Sequence, residues 1–281
     1  MMRAISPKSL DEAIRHLSED PELRPVAGCT DLLVADPQQV EALPGVMDLL
    51  SVPELRGIHW VDETLEIGST TTFAEIGAST TIQHNFPALA AASSQIGGWQ
   101  IQNRATLGGN MANASPAGDS LPVLLALDAA VVMVGPGGER TLPYSDFHLG
   151  YRETAIRPGE IIGRIRLPRP GPDSVQLFRK VGTREAHAIS KVVVALLGRL
   201  EDGTIAEYRL GAGSVAPVPV RLTAVEEAVT GRAADEETAD LAGRLAAESV
   251  EPIDDVRSTA AYRRFALERV VRRLTLALTD S

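Results

Sequence analysis

The chain is poor in the side chains that build inorganic redox centres. It has one cysteine, Cys29, in 281 residues. A single thiol excludes an intrachain disulfide, and excludes a cysteine-ligated iron–sulfur cluster or zinc site built from this chain alone. The five histidines, at positions 16, 59, 84, 148 and 187, show no metal-binding spacing of the H-E-x-x-H kind. No metal ligand set is therefore expected here, and the chemistry calls for an organic cofactor. Blocks of Lys and Arg are also missing, and the net charge is −10. That balance argues against a nucleic-acid or anionic-membrane surface. No charge-free apolar run approaches membrane-spanning length. The start, Met1-Met-Arg-Ala-Ile-Ser-Pro7, lacks the apolar core of a signal peptide. These absences predict a cytoplasmic protein with no transmembrane segment.

What is present suffices for folding. Hydrophobic residues make up 44% of the chain, and its length supports a substantial core divided over two or three units. Ser9-Leu-Asp-Glu12 has the form of a capping box, followed by Leu10, Ala13, Ile14 and Leu17 at helical spacing. Short strands are expected at 24–27 and 46–50, giving a small β/α unit. A hairpin follows over 58–61 and 65–67, then a second capping box at Thr72-Phe-Ala-Glu75 and helical runs near 73–78 and 87–96. Strands are expected at 129–134, 140–142 and 160–167. Pro168-Arg-Pro-Gly-Pro172 reads as a linker. Beyond it come strand candidates near 174–181, 188–200 and 204–211, then helices. The last helix carries Leu267, Val270, Val271, Leu274, Ala277 and Leu278 on one stripe, so an α+β unit closes the chain.

Two stretches stand out from this frame. Ala105-Thr-Leu-Gly-Gly-Asn-Met-Ala-Asn-Ala-Ser-Pro-Ala-Gly-Asp119 is rich in small residues and shows little helix or strand character. Bare backbone N–H groups in such a run are free to meet an anion, and a helix-like segment, 120–127, begins directly after it. Ala27–Leu32 is a shorter run of the same kind. Each stretch alone is also compatible with an ordinary tight turn. A third glycine motif, Gly211-Ala-Gly-Ser-Val-Ala216, fits a dinucleotide fingerprint, but Pro217 and Pro219 forbid the helix that the fingerprint requires.

Taken in order, these segments resemble the FAD-binding (medium) subunit of the molybdenum hydroxylases, the xanthine dehydrogenase and carbon monoxide dehydrogenase type. Pro25-Val-Ala-Gly-Cys-Thr-Asp-Leu-Leu33 is similar to the family's first flavin loop, A-G-G-T-D-L. Ile101-Gln-Asn-Arg-Ala-Thr-Leu-Gly-Gly-Asn110 is similar to its second loop, I-R-N-x-G-T-I-G-G-N, and Ala114-Ser-Pro-Ala-Gly-Asp119 to the A-S-P-x-x-D that follows. Phe147-His-Leu-Gly-Tyr-Arg-Glu-Thr154 with Pro158-Gly-Glu-Ile-Ile162 resembles a xanthine dehydrogenase segment, F-x-G-Y-R-K-T…P-x-E-I. Phe178–Arg184 and Ser258–Arg263 resemble parts of the C-terminal flavin-subunit domain. The resemblance implies a vanillyl-alcohol-oxidase-like FAD-binding fold of two α/β subdomains, expected at 1–55 and 56–172, plus a C-terminal α+β domain at 173–281.

The resemblance also implies site residues. Val26, Ala27, Gly28, Cys29, Thr30, Asp31 and Leu32 in the first loop and Thr106, Leu107, Gly108, Gly109 and Asn110 in the second are expected to cradle the FAD pyrophosphate. The glycines leave room for that approach. The hydroxyls of Thr30, Thr106 and Ser115, beside Pro116, are candidate donors to phosphate or ribityl oxygens. Asp119 matches a carboxylate that contacts FAD, and Lys180 a lysine at the flavin pyrimidine edge. Ile162 matches a position packing on the adenine. Without the resemblance, Asp119 reads as a helix N-cap, Lys180 as a solvated cation and Ile162 as a strand core residue. Tyr151 and Arg152 are candidates for contact with flavin or a partner, against a structural tyrosine at a domain interface; Trp99 and Tyr262 are open in the same way. Cys29, Gln102 and Ala105 depart from the family pattern. A left-handed backbone at Cys29 would carry strain, and a small buried cysteine is ordinarily inert.

The implied function is electron transfer. FAD in this chain takes electrons from [2Fe–2S] clusters in one partner subunit, reduced by a molybdopterin subunit, and gives them to NAD or a quinone. No residue of this chain is expected to act as acid or base on the organic substrate. The alternatives are a stand-alone flavin oxidoreductase of the same fold and a FAD-free interaction subunit.

Overall fold

The computed structural model describes residues 3–34, 37–184 and 187–280; Met1 and Met2 of the N-terminal reading lie outside them. The first unit is a parallel sheet in the order β1-β3-β2, from β1 (Arg3–Ile5), β2 (Leu23–Val26) and β3 (Gly45–Asp48). Helix α1 (Leu10–Glu19) connects the first two strands, and α2 (Pro37–Glu41) precedes the third. Ala13 and Leu17 of α1 pack on Leu23 and Met47. The expected capping box at Ser9 is only half formed. Ser9 Oγ accepts from the Glu12 N–H, but the Glu12 carboxylate accepts from Lys8 rather than from Ser9.

The second unit is an antiparallel sheet in the order β4-β5-β10-β6-β7. Its strands are β4 (Ile58–Val61), β5 (Thr64–Gly68), β6 (Ala130–Gly135), β7 (Gly138–Pro143) and β10 (Ile161–Pro168), with a small hairpin of β8 (His148–Gly150) and β9 (Glu153–Thr154). Six short helices run between β5 and β6: α3 (Phe73–Ala78), α4 (Thr80–Asn85), α5 (Pro87–Ser94), α6 (Trp99–Gln102), α7 (Leu107–Asn113) and α8 (Leu121–Ala126). At Thr72 the capping box is complete, with the Thr72 hydroxyl and the Glu75 carboxylate each taking the other's backbone N–H. The inward faces of this sheet and these helices make the largest core, centred on Leu65, Ile67, Phe73, Leu124, Val131 and Ile165.

The third unit is an antiparallel sheet, β11-β12-β13-β14, from β11 (Val175–Val181), β12 (Val192–Glu201), β13 (Thr204–Gly213) and β14 (Val220–Arg221). Helices α9 (Thr223–Val229), α10 (Glu236–Glu248) and α11 (Ala260–Leu276) cover one face. Leu267, Val271, Leu274 and Leu278 of the predicted stripe are buried there. The other face carries Ala195 and Leu197 into the main core, so the third unit is docked on the second. The linker is pinned as well as stiff: Arg169 pairs with Glu63 and lies 3.9 Å over the Trp60 ring. After β13 the chain turns away at Ser214 without forming a helix, as the prolines require. No helix among the described residues is long and apolar enough to cross a membrane.

Candidate functional site

The first loop leaves β2 and turns at Cys29, whose φ is +58°. Only glycine adopts that conformation without steric cost, so the Cβ of Cys29 is held there under strain. The turn has a chemical result. Among the described residues, the backbone N–H groups of Gly28, Cys29, Thr30 and Asp31 have no hydrogen-bond acceptor, and the segment is half-exposed. Successive unpaired N–H groups around a left-handed residue form an anion-binding concavity. The Cys29 thiol donates to the Ala27 carbonyl at 3.4 Å. Burial pushes its pKa up, against a smaller opposing pull from Arg104, so the thiol stays protonated and inert.

The second loop differs from its expected form. Much of the run 105–119 is helical, because Thr106 acts as the N-cap of α7 and accepts from the Gly109 N–H at 3.0 Å. The N–H groups of Leu107, Gly108 and Asn110 are committed too. Leu107 donates to Thr71 O, Gly108 to Ser69 O and Asn110 to Thr106 O. The expectation of a bare anion-binding backbone over Leu107–Asn110 is therefore corrected: these groups are already satisfied by the fold. Thr106 and Leu107 are buried, and the Ser115 hydroxyl accepts locally from Ala117 N–H. Asn110 Oδ1 accepts from Ser120, and Pro116 O accepts from Ser214 N–H.

The glycines divide by what they face. An added Cβ at Gly28 would lie 1.9 Å from the Arg104 carbonyl oxygen, so the first loop rests directly on the backbone leading into the second. At Gly108 it would meet Ser69 at 2.6 Å. Both glycines serve contact between chain segments. Gly109 alone is exposed, and its added Cβ would meet only the Thr106 hydroxyl, at 2.8 Å. The room that sequence reading assigned to three glycines is found at this one. Arg152, at φ +56°, ties the loops together from β8–β9, donating to Asn113 at 3.0 Å and lying 3.8 Å from Asp31.

Asp119 and Lys180 are neither an N-cap nor a solvated cation. They form a buried ion pair: Lys180 Nζ donates to Asp119 Oδ2 at 2.6 Å and to the Gln95 carbonyl at 2.8 Å. The side chains are 5% and 9% exposed, for Lys180 and Asp119 respectively. Ser190 donates to the other carboxylate oxygen. Burial raises the Asp119 pKa, opposed by the Lys180 charge and by the bonds from Lys180 and Ser190. The pair joins two units, since Asp119 precedes α8 and Lys180 lies on β11.

Other expected residues fall outside this cluster. Ile162 is in the main core beside a β-bulge at Gly163. Tyr151 is 66% exposed and Trp99 80%, so neither is a buried interface aromatic, and Tyr262 lies against Lys191. Sequence reading missed Ser190, the Gln95 carbonyl and the Arg152 bridge. No periodicity or spacing marks them, because each acts across a long sequence separation.

Residues 1–170 match the family model for the FAD binding domain in molybdopterin dehydrogenase. Residues 177–278 match that for the carbon monoxide dehydrogenase flavoprotein C-terminal domain. The chain is 30% identical over 268 residues to a xanthine dehydrogenase FAD-binding subunit of Escherichia coli O157:H7, covering 95% of this chain and 92% of that protein. Carbon monoxide dehydrogenase of Hydrogenophaga pseudoflava contains a chain that superposes with a TM-score of 0.93 at 29% identity, covering 97% of this chain and 95% of that one. Quinoline 2-oxidoreductase of Pseudomonas putida 86 gives a TM-score of 0.94 at 25% identity, with 100% and 97% covered.

Proposed function

Since this chain belongs to the FAD-binding subunits of the molybdenum hydroxylase family, we propose that it relays electrons from [2Fe–2S] clusters of a partner subunit to NAD or a quinone. A second partner holds the molybdopterin at which substrate is oxidised. The observation that carries the reading is the first loop: four consecutive N–H donors in a half-exposed to exposed segment, without acceptors among the described residues, fit a pyrophosphate. The fit extends to Lys180, which has three N–H donors and two acceptors among the described residues. Bound FAD supplies a two-electron store that can be filled one electron at a time.

The residues around it have distinct tasks. Gly28–Asp31, flanked by Val26, Ala27 and Leu32, take the pyrophosphate charge. Thr106–Asn110 form the wall against which the first loop is set, and Gly109 keeps that wall open. Thr30 and Ser115 would offer hydroxyls to phosphate or ribityl oxygens of bound FAD, with Pro116 beside Ser115, and Ile162 would pack toward its adenine. Lys180, held by Asp119 and the Gln95 carbonyl, keeps a positive charge where reduced flavin carries negative charge. No residue of this chain handles the organic substrate.

The test uses the native complex. Iron, molybdenum and flavin should co-purify with this chain, and rapid mixing with substrate should bleach clusters and flavin together. A complex rebuilt with FAD-depleted subunit should stop at reduced clusters. Acceptor reduction at the full rate without FAD in this chain would remove the relay role.

A further inference from the structure

Ser190 has no counterpart in the motifs, yet it completes the buried pair. It is 1% exposed, and its hydroxyl donates to Asp119 Oδ1 while Lys180 holds Oδ2. Its position does not depend on that bond. The next residue, Lys191, donates its N–H to Val181 O at 2.8 Å and accepts at its carbonyl from Arg263 at 2.8 Å. The backbone at 190 is thus clamped between β11 and α11. A hydroxyl held in this way can fix the plane of the carboxylate it contacts.

We infer that Ser190 is a positioning residue for the flavin-facing lysine: by occupying Oδ1 it confines Lys180 to a single oxygen of Asp119 and keeps one ammonium N–H out of the pair. The inference rests on the proposed placement of Lys180 beside FAD. The physical reason is competition for one cation. A carboxylate has about four lone-pair sites, and an ammonium offers three donors. In a nearly dry pocket, an unpartnered carboxylate oxygen is costly. Without the Ser190 donor, the Asp119 carboxylate turns both oxygens toward Lys180, the charge that opposes the cost of its burial. The lysine is then drawn into a closer pair, and less positive potential reaches the cofactor.

The experiment compares full-length chains carrying Ser190→Ala, Ser190→Thr and Lys180→Met, each loaded with FAD, at one fixed pH. The two-electron potential of the bound flavin is measured by redox titration. The same quantity is read independently from the dissociation constants of oxidised and reduced FAD, should a variant bind weakly. Ser190→Ala should lose about tenfold in preference for reduced over oxidised flavin, equal to about 30 mV for a two-electron couple. Ser190→Thr, which keeps the hydroxyl, should restore it. A shift in Lys180→Met with none in Ser190→Ala would overturn the role of Ser190 and leave Lys180 in place. Equal shifts in the alanine and threonine variants would reduce Ser190 to a space-filling residue. Three unchanged potentials would overturn the placement of Lys180 itself, and the inference with it.

Discussion

Replacing Lys180 with methionine tests the buried pair as a stability element. The change removes a charge at 2.6 Å from Asp119, in a site where both side chains are more than nine-tenths buried. Methionine preserves most of the stem, so little packing is lost. Removing one partner of a buried ion pair costs about 3–5 kcal/mol, because the remaining charge is left uncompensated. The cost should depend on pH, and its sign follows from Asp119. Burial already raises that carboxyl's pKa, and Lys180 is the main group opposing the rise; without it the folded-state pKa climbs further. A carboxyl whose folded pKa exceeds its unfolded value binds more protons in the native state between the two. Its contribution is fully present below the unfolded pKa and is lost as pH rises through the folded one. Lys180→Met should therefore resemble the parent more closely at pH 5 than at pH 8. Urea unfolding of the apo chain, followed by circular dichroism from pH 5 to 8, reads the gap directly. The double variant Asp119→Asn, Lys180→Met should recover most of the loss at pH 8. A pH-independent penalty, or no recovery in the double variant, would show that the pair is not an uncompensated-charge problem and would refute the reasoning.

Gly28→Ala should displace the first loop from Arg104, costing about 1–3 kcal/mol by overpacking and weakening FAD binding with it. Gly109→Val faces open space apart from the Thr106 hydroxyl, so circular dichroism should show the fold retained while FAD is lost; stoichiometric flavin in that variant would make the glycine dispensable. Acid precipitation of the holoprotein should release all its yellow chromophore as FAD, since the Cys29 thiol is held protonated; flavin remaining with the pellet would show a covalent link. Lys180→Met should lower the flavin potential by tens of millivolts, the equivalent of one charge-assisted hydrogen bond of about 1.5–3 kcal/mol, as read by redox titration.

The elements with a strong local signal were legible in order. The complete capping box at Thr72, the strands flanking Gly135–Gly138 and the apolar stripe of α11 each depend on neighbours a few residues away. The family resemblance was legible because its loops occur as contiguous strings. Weak or very short elements were not: α4, α6 and α7 span only 6, 4 and 7 residues, and such helices are stabilised by tertiary packing rather than by propensity.

By itself, the sequence determined the class of the chain and the residue types available to a cofactor. It excluded cluster and disulfide chemistry within this chain, supplied two small-residue loops and placed a carboxylate and a lysine in family-like positions. Only the tertiary structure decided what those residues do. The same letter, glycine, is a chain-to-chain contact at 28 and 108 and an open surface at 109, because a missing Cβ gains meaning only from what lies opposite it. Among the described residues, backbone N–H groups are unpaired over Gly28–Asp31 and satisfied over Leu107–Asn110, because pairing depends on acceptors such as Ser69 O and Thr71 O from a distant part of the chain. In the sequence Asp119 and Lys180 read as two separate FAD contacts and Ser190 carries no signal; docking of two units buries the three together. Burial then turns weak surface charges into a coupled pair, since desolvation makes each charge dependent on its partner.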